Sequence, residues 1–161
     1  MAFIFCDFYS RSLGKDTKIH MIFPEYGQAA AERIKFCVLI HSRGQDASFW
    51  IRRTNIEQIA EEQNIAVIMP EAWRSFFVEM PNGKNFKKFL QEELPKFLNQ
   101  TFPFLSKDPK DHMIACGDEK CSERIQDIVS KDCSCFGTGE CLPCDFTDED
   151  LRHLLSDWQK K

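Results

Sequence analysis

No apolar run in this 161-residue chain approaches the ~18 residues that a membrane-spanning helix requires, so the sequence offers no transmembrane segment. Positive charge is not in excess either. The formal net charge is −4, the pI is near 5.6, and Lys and Arg are scattered rather than clustered. A chain without a basic stripe carries no electrostatic footprint for nucleic acid or an anionic lipid surface. The opening stretch MAFIFCDFYSRSLGKD lacks a basic leader and reaches an acidic residue at Asp7, which points to a cytoplasmic protein. Internal repeats, linkers and low-complexity segments are absent as well, and the length suits one domain, 1–161, with a real hydrophobic core.

Cysteine, by contrast, is abundant, with eight in the chain. Cys6 and Cys37 stand singly in apolar stretches, where a thiol behaves as a small buried hydrophobe. The other six fall between Cys116 and Cys144. A reducing compartment makes such crowding a sign of metal or redox chemistry more than of structural disulfides. Cys133 and Cys135, then Cys141 and Cys144, form two close-spaced pairs around a turn at Gly137, Thr138 and Gly139. Two such pairs provide the four thiolates that a tetrahedral structural Zn²⁺ takes. A reversible disulfide and unligated thiols are the other readings of the same spacing, and no organic cofactor is implied. Cys116 and Cys121 either extend that site or form a separate redox pair.

Periodicity predicts alternating elements. FIFCDFYS (3–10) and KIHMIFP (18–24) alternate apolar with polar and read as an antiparallel pair around a turn at Gly14. IKFCVLIH (34–41) and IAVIMP (65–70) are nearly all apolar, as strands buried on both faces should be. Between them NIEQIAEEQN (55–64) has helical spacing, so the two strands are expected to run parallel. GKNFKKFLQEELPKFLNQTFP (83–103) places Phe86, Phe89, Leu90, Leu94, Phe97 and Leu98 on one stripe, with Pro95 expected to kink or divide the helix. Thr147 and Asp150 form a capping signal ahead of a closing helix whose apolar face is Leu151, Leu154, Leu155 and Trp158.

The segment from Asp46 to Leu98 closely resembles the esterase D-like branch of the α/β-hydrolases, the tributyrin-esterase and S-formylglutathione-hydrolase relatives. The Trp50 to Thr54 block, the AVIMP strand, the Arg74 to Phe77 loop and the Glu92 to Pro95 helix carry the likeness jointly. It begins at the first residue and runs to about Cys116, making 1–117 the family-like part and 118–161 a divergent Cys-rich segment. The resemblance implies a truncated three-layer α/β-hydrolase-like fold, with a mostly parallel sheet and an antiparallel N-terminal strand pair. It also implies a serine hydrolase of small acyl esters, whose nucleophile would sit in MIACGDEKC (113–121).

The defining positions of that elbow are changed. The motif G-x-S-x-G maps onto Cys116, Asp118 and Lys120. The oxyanion-hole region reads His41, Ser42, Arg43, with Ser42 replacing a glycine at a turn that tolerates a Cβ poorly. CFGTGECLPCDFTDEDLRHLL (135–155) weakly resembles the acid-bearing strand-end loop and would put Glu140 or Asp145 near the catalytic acid. No histidine is placed to complete a triad. The expectation is an esterase-like pseudoenzyme that acts by binding a small acyl-ester-like ligand or a protein partner. The alternatives are an active ester or thioester hydrolase with a reconfigured site, and a zinc- or redox-responsive module. Because the strand at 112–117 would lie near an open sheet edge, a homodimer is also expected.

Overall fold

The computed structural model describes residues 1–25, 33–72, 85–129 and 135–161, so the Arg74 to Phe77 loop lies outside the described residues. The alternating N-terminal segments form β1 (Ala2–Ser10) and β2 (Lys15–Phe23), paired antiparallel from Ala2 opposite Phe23 to Ser10 opposite Lys15. Ile4, Cys6 and Phe8 pack against the core, while Phe5 and Tyr9 are exposed on the other face.

The two apolar runs become β3 (Phe36–Ile40) and β4 (Ala66–Pro70), and every residue of both is buried. Between them lie α1 (Phe49–Arg53) and α2 (Ile56–Gln63), the crossover that makes β3 and β4 parallel. β5 (His112–Cys116) lies parallel to β3 on its other side. The sheet order is β1-β2-β4-β3-β5-β6, with β2 antiparallel to β4 and β5 parallel to β6.

Period-two alternation sends the strand side chains into two layers. Val38, Ile40, Ile68, Ile114 and Cys116 join one core, with Phe86, Leu94, Leu98 and Ile125 from the helices above them. Cys37, Leu39, Val67, Met69, Met113 and Ala115 join the other, against Trp50, Ile59, Leu151 and Leu155. The result is a mixed sheet between two helical layers, as the resemblance implied.

The amphipathic stretch 85–101 divides where Pro95 requires it. It comprises α3 (Phe86–Lys88), a wide π turn (Phe89–Glu93) and α4 (Leu94–Thr101), with Pro95 in the first turn of α4. Proline there lacks a donor the helix would otherwise use, and the widened turn just upstream absorbs the mismatch.

The C-terminal segment adds a strand to the sheet. It is not only loop and helix: after α5 (Ser122–Ile128) the chain forms β6 (Thr138–Cys141), in register with β5 from Met113 opposite Thr138 to Cys116 opposite Cys141. A Cβ at Gly139 would meet Val129 Cγ2 at 2.5 Å and Ile125 Cγ2 at 2.8 Å, so only glycine lets this strand pass beneath α5. β5 is therefore flanked on both sides, and the open edge that motivated the homodimer passes to a strand of 4 residues. The closing helix α6 (Asp148–Gln159) starts on the expected capping box between Thr147 and Asp150. Polar bonds lace it to α2 along its length. Asn55 Nδ2 donates to Asp148 Oδ2 at 2.7 Å, Arg152 Nε to Glu62 Oε2 at 2.8 Å, and Gln159 Nε2 to the Gln63 carbonyl at 2.9 Å. Among the described residues no helix is long and apolar enough to cross a membrane.

Glu93, at the end of the π turn, clamps the β1–β2 hairpin. It accepts from Ser10 Oγ at 2.8 Å, the Arg11 amide at 2.7 Å and the Ser12 amide at 2.9 Å. Burial alone would raise its carboxyl, but the bonds from Ser12, Ser10 and Arg11 outweigh burial and hold it below the ordinary range. The folded state thus takes up this proton less readily than the unfolded chain. Its contribution is present above the unfolded value near 4.3 and is lost as pH falls through the lower folded value. Glu93→Gln should cost about 1 kcal/mol near neutral pH, allowing for partial exposure. Urea denaturation of both proteins should find that gap closing as pH falls below the unfolded value near 4.3. A gap independent of pH would assign the effect to packing instead.

Candidate functional site at the strand-to-helix elbow

The C-terminal ends of β3, β5 and β6 share one rim of the sheet, and the candidate residues gather there. The chain leaves β5 at Cys116, and the Gly117 amide donates to the Ile40 carbonyl at 3.1 Å. Gly117 is tightly enclosed, since a Cβ would stand 3.0 Å from Ser42 Oγ, 3.1 Å from a Phe49 ring carbon and 3.3 Å from a Trp50 ring carbon. Asp118 follows, then a 3-10 turn (Glu119–Cys121) that leads directly into α5.

Asp118 stands at the position of the expected nucleophile, yet its backbone is not that of a nucleophile elbow. Its φ of −147° and ψ of 113° are ordinary extended values, whereas the elbow of a hydrolase is a sharp, strained turn. Its side chain is 5% exposed and committed: Oδ1 accepts from the Lys120 amide at 3.0 Å, capping the 3-10 turn, and from Cys144 Sγ at 3.6 Å.

His41 and Ser42 also have structural work. His41 Nδ1 donates to the Ser42 carbonyl at 2.9 Å, and its Nε2 accepts from the Ala72 amide at 3.0 Å and lies 3.1 Å from Glu71 Oε1. The other Glu71 oxygen accepts from the Ala47 amide at 3.0 Å, so this carboxylate, 3% exposed, is bound on both sides. The expectation that a Cβ is poorly tolerated at Ser42 is corrected. Among described residues other than glycine, positive φ occurs only at Asn64, and the Ser42 hydroxyl ties the end of β3 to the Gly117 carbonyl. The glycine the turn needs is Gly44, at φ 77°, with the Gln45 amide donating to the Ser42 carbonyl at 3.1 Å.

Above the elbow lies an open cleft of about 390 Å³, walled by Phe49 and Phe146 and rimmed by Ser42, Arg43, Arg53, Asp118 and Cys144. Its β6-side wall comes from the loop for which Glu140 and Asp145 were the candidate acids. Neither lines the cleft: Asp145 is exposed, and Glu140 borders a separate hollow with Met113, Leu154 and Trp158. Local desolvation and the Asp118 carboxylate push the exposed Cys144 thiol up.

The remaining histidines do not reach the elbow. His112, at the opposite end of β5, sits between the Cys135 and Ser106 carbonyls. His20 packs edge-on against Phe5, and His153 is exposed on α6 beside Glu149.

The structure regroups the cysteines. Cys133 lies outside the described residues. Cys135 donates to the Gln91 carbonyl, Cys144 lies on Asp118, and Cys141 points into the core beside Cys116 and Cys121. Among the described residues no three metal-binding side chains converge. Instead Cys116, Cys121 and Cys141 belong to one core, with Cys141 opposite Cys116 in the sheet. The neighbouring Cys121 and burial push the Cys116 thiol well above its ordinary range, while the neighbouring Cys116 outweighs burial and holds Cys121 below its own. Burial and the neighbouring Cys121 push Cys141 up to about 12.

A mostly parallel sheet between two helical layers, with strand, tight turn and helix at the elbow, is the α/β-hydrolase fold. No protein-family model matches the chain. It is 26% identical over 118 residues to an acetyl esterase of Caldicellulosiruptor saccharolyticus, covering 68% of this chain and 44% of that protein. Two Staphylococcus aureus structures also match. One is an S-formylglutathione hydrolase (29% identity, TM-score 0.62, 71% of this chain and 46% of the other). The second is the fluorophosphonate-binding serine hydrolase F (25% identity, TM-score 0.75, 86% and 55%). In sequence and in fold the chain therefore resembles the esterase D-like branch, and it spans about half the length of these relatives.

His41 is a buried polar group at the end of β3 whose ring nitrogens bond the Ser42 carbonyl and the Ala72 amide. Removing the imidazole leaves those groups without this partner, which costs about 1–3 kcal/mol. His41→Ala should lose stability on that scale in urea denaturation, and a loss under about 1 kcal/mol would mean that these bonds hold nothing in place.

Proposed function

We propose that this chain is an esterase-like protein that holds a small acyl ligand in the cleft over the elbow without turning it over. The observation that carries the reading is the state of Asp118. Its backbone is extended and its carboxylate caps the following turn, so it is neither presented as a nucleophile nor paired with an imidazole. A carboxylate nucleophile would need a histidine to activate the water that releases the covalent intermediate. Within this chain His41 is spent on Ser42, Ala72 and Glu71, and the other three lie away from the elbow. Phe49 and Phe146 offer the apolar walls an acyl chain would take, and the arginines at the rim suit a polar or anionic end.

One observation favours a second reading, a thioester or ester hydrolase with a thiol nucleophile. Cys144 is exposed in the cleft, with its sulfur 3.6 Å from Asp118 Oδ1. Local desolvation and the adjacent carboxylate weaken that candidate, because both push the thiol up and disfavour the thiolate.

Turnover of a short acyl p-nitrophenyl ester separates the two. The rate should equal a buffer blank, and Asp118→Ser should not rescue it, since the new hydroxyl has no base to activate it. Hydrolysis above the blank that disappears in Asp118→Ala, Cys121→Ala or Cys144→Ala would overturn the non-catalytic reading and name the nucleophile.

A further inference from the structure

β1 forms one edge of the sheet. It pairs with β2 one-to-one over all 9 of its residues, about 30 Å of ladder, and among the described residues nothing pairs with its outer side. Edge strands of soluble proteins are kept short, bulged, or broken by lysine and proline. Ala2–Ser10 has no lysine, arginine or proline, and Asp7 is its single charge. The opposite edge, β6, has 4 residues, and the Gly139 carbonyl there accepts from Gln126 Nε2 at 2.9 Å. Phe5 and Tyr9 on β1 are 67% and 62% exposed, and the remaining exposed large hydrophobic among the described residues is Phe104.

The same strand carries a hollow that suits one of these rings. Phe3, in ring contact with Phe5 at 4.9 Å, lines an open hollow of about 390 Å³ with Ile22, Ile51 and Ile56, beside the polar groups of Thr54 and Gln58. Apolar walls with polar groups beside them match the body and the hydroxyl of a tyrosine. Tyr9 lies on the same face of β1 as Phe3 but roughly 20 Å along the strand, so ring and hollow cannot meet within one chain.

We propose that the chain forms a homodimer in which β1 pairs antiparallel with β1 of a second copy, about a two-fold axis at Cys6. Residues directly opposite must share a face, so the axis falls on a residue and not between two. At Asp7 it would oppose two carboxylates, and at Phe5 it would leave Tyr9 and Ser10 overhanging. Only at Cys6 does every residue from Ala2 to Ser10 find a partner. That register sets the partner's Tyr9 opposite Phe3, at the hollow, while Tyr9 meets the partner's hollow in return, as an isologous interface requires. On the other face Ile4 stands opposite the partner's Phe8, continuing the apolar layer to which Ile4, Cys6 and Phe8 already belong. A second copy is thus the occupant that carries both the ring and the hollow at matching positions. The pairing rests on the strand edge and does not depend on what the cleft holds.

Light scattering and sedimentation of the whole chain at micromolar concentration should give twice its mass of 18.8 kDa. The axis at Cys6 makes the register readable. Opposed Cα atoms in an antiparallel pair lie about 4.5–5.5 Å apart, within the span of a disulfide. Arg11 is the first tryptic site, so Cys6 falls on the peptide 1–11. Mild oxidation with copper phenanthroline, digestion and mass spectrometry should find peptide 1–11 joined to a second copy of itself, a product that only a bond between chains can give. Cys6→Ser should lose that product and still sediment as a dimer. Phe5→Lys and Tyr9→Lys should each raise the dimer Kd by about tenfold or more, with circular dichroism unchanged because both side chains are exposed. Phe104→Lys, away from β1, should leave the Kd as it was. A chain that stays monomeric overturns the proposal, and so would point to a strand of another protein as the occupant. A dimer that ignores both lysines, responds equally to Phe104→Lys, or never joins its 1–11 peptides overturns it as well.

Discussion

The two-sided burial of β3 is the constraint from which the rest of the structure follows. None of its five residues is more than 1% exposed, so each needs an apolar partner on its own face. That requirement places β4 and β5 alongside it and a helical layer on either side. It also fixes where the chain must turn. β3 ends at Ile40, whose carbonyl receives the Gly117 amide, and the Ser42 hydroxyl bonds back to the Gly117 carbonyl. The cleft rim is thus a consequence of core packing carried to the strand ends.

Within that frame the elbow has kept its place in the fold and lost its tension. A strained turn persists only where surrounding structure forces it, and here Asp118 relaxes into an extended conformation with its side chain turned to the backbone of the next turn. Cys144 occupies the space above it, and His41 is drawn down to Glu71. Polar groups of the kind used in hydrolysis are present, but each satisfies a neighbour that would otherwise be buried without a partner.

Much of the fold was legible in the sequence because it rests on local patterns. Alternation gave the β1–β2 pair, unbroken apolar runs gave β3 and β4, Pro95 marked the division of its helix, and Thr147 with Asp150 marked the start of α6. β6 was not legible: Thr138 to Cys141 has neither alternation nor apolar content, and the strand exists because β5 offers an edge and Gly139 fits under α5. The site was legible as a location and not as a set of contacts. Spacing along the chain grouped Cys135 with Cys141 and Cys144, whereas sheet register, a long-range property, sets Cys141 opposite Cys116. The Cys144–Asp118 contact follows from the same register, since loops leaving two adjacent parallel strands end on one rim. The conformation of Asp118 had no local signal at all.

The bonds that lace α6 to α2 give the cleft a mechanical character. Phe146 and Cys144 sit just ahead of α6, and that helix is pinned near its start by Asn55, in its middle by Glu62 and near its end by the Gln63 carbonyl. A wall fixed along its whole length transmits load to its supports and does not swing. One wall of the cleft is therefore braced from the protein surface, by polar side chains that do not line it.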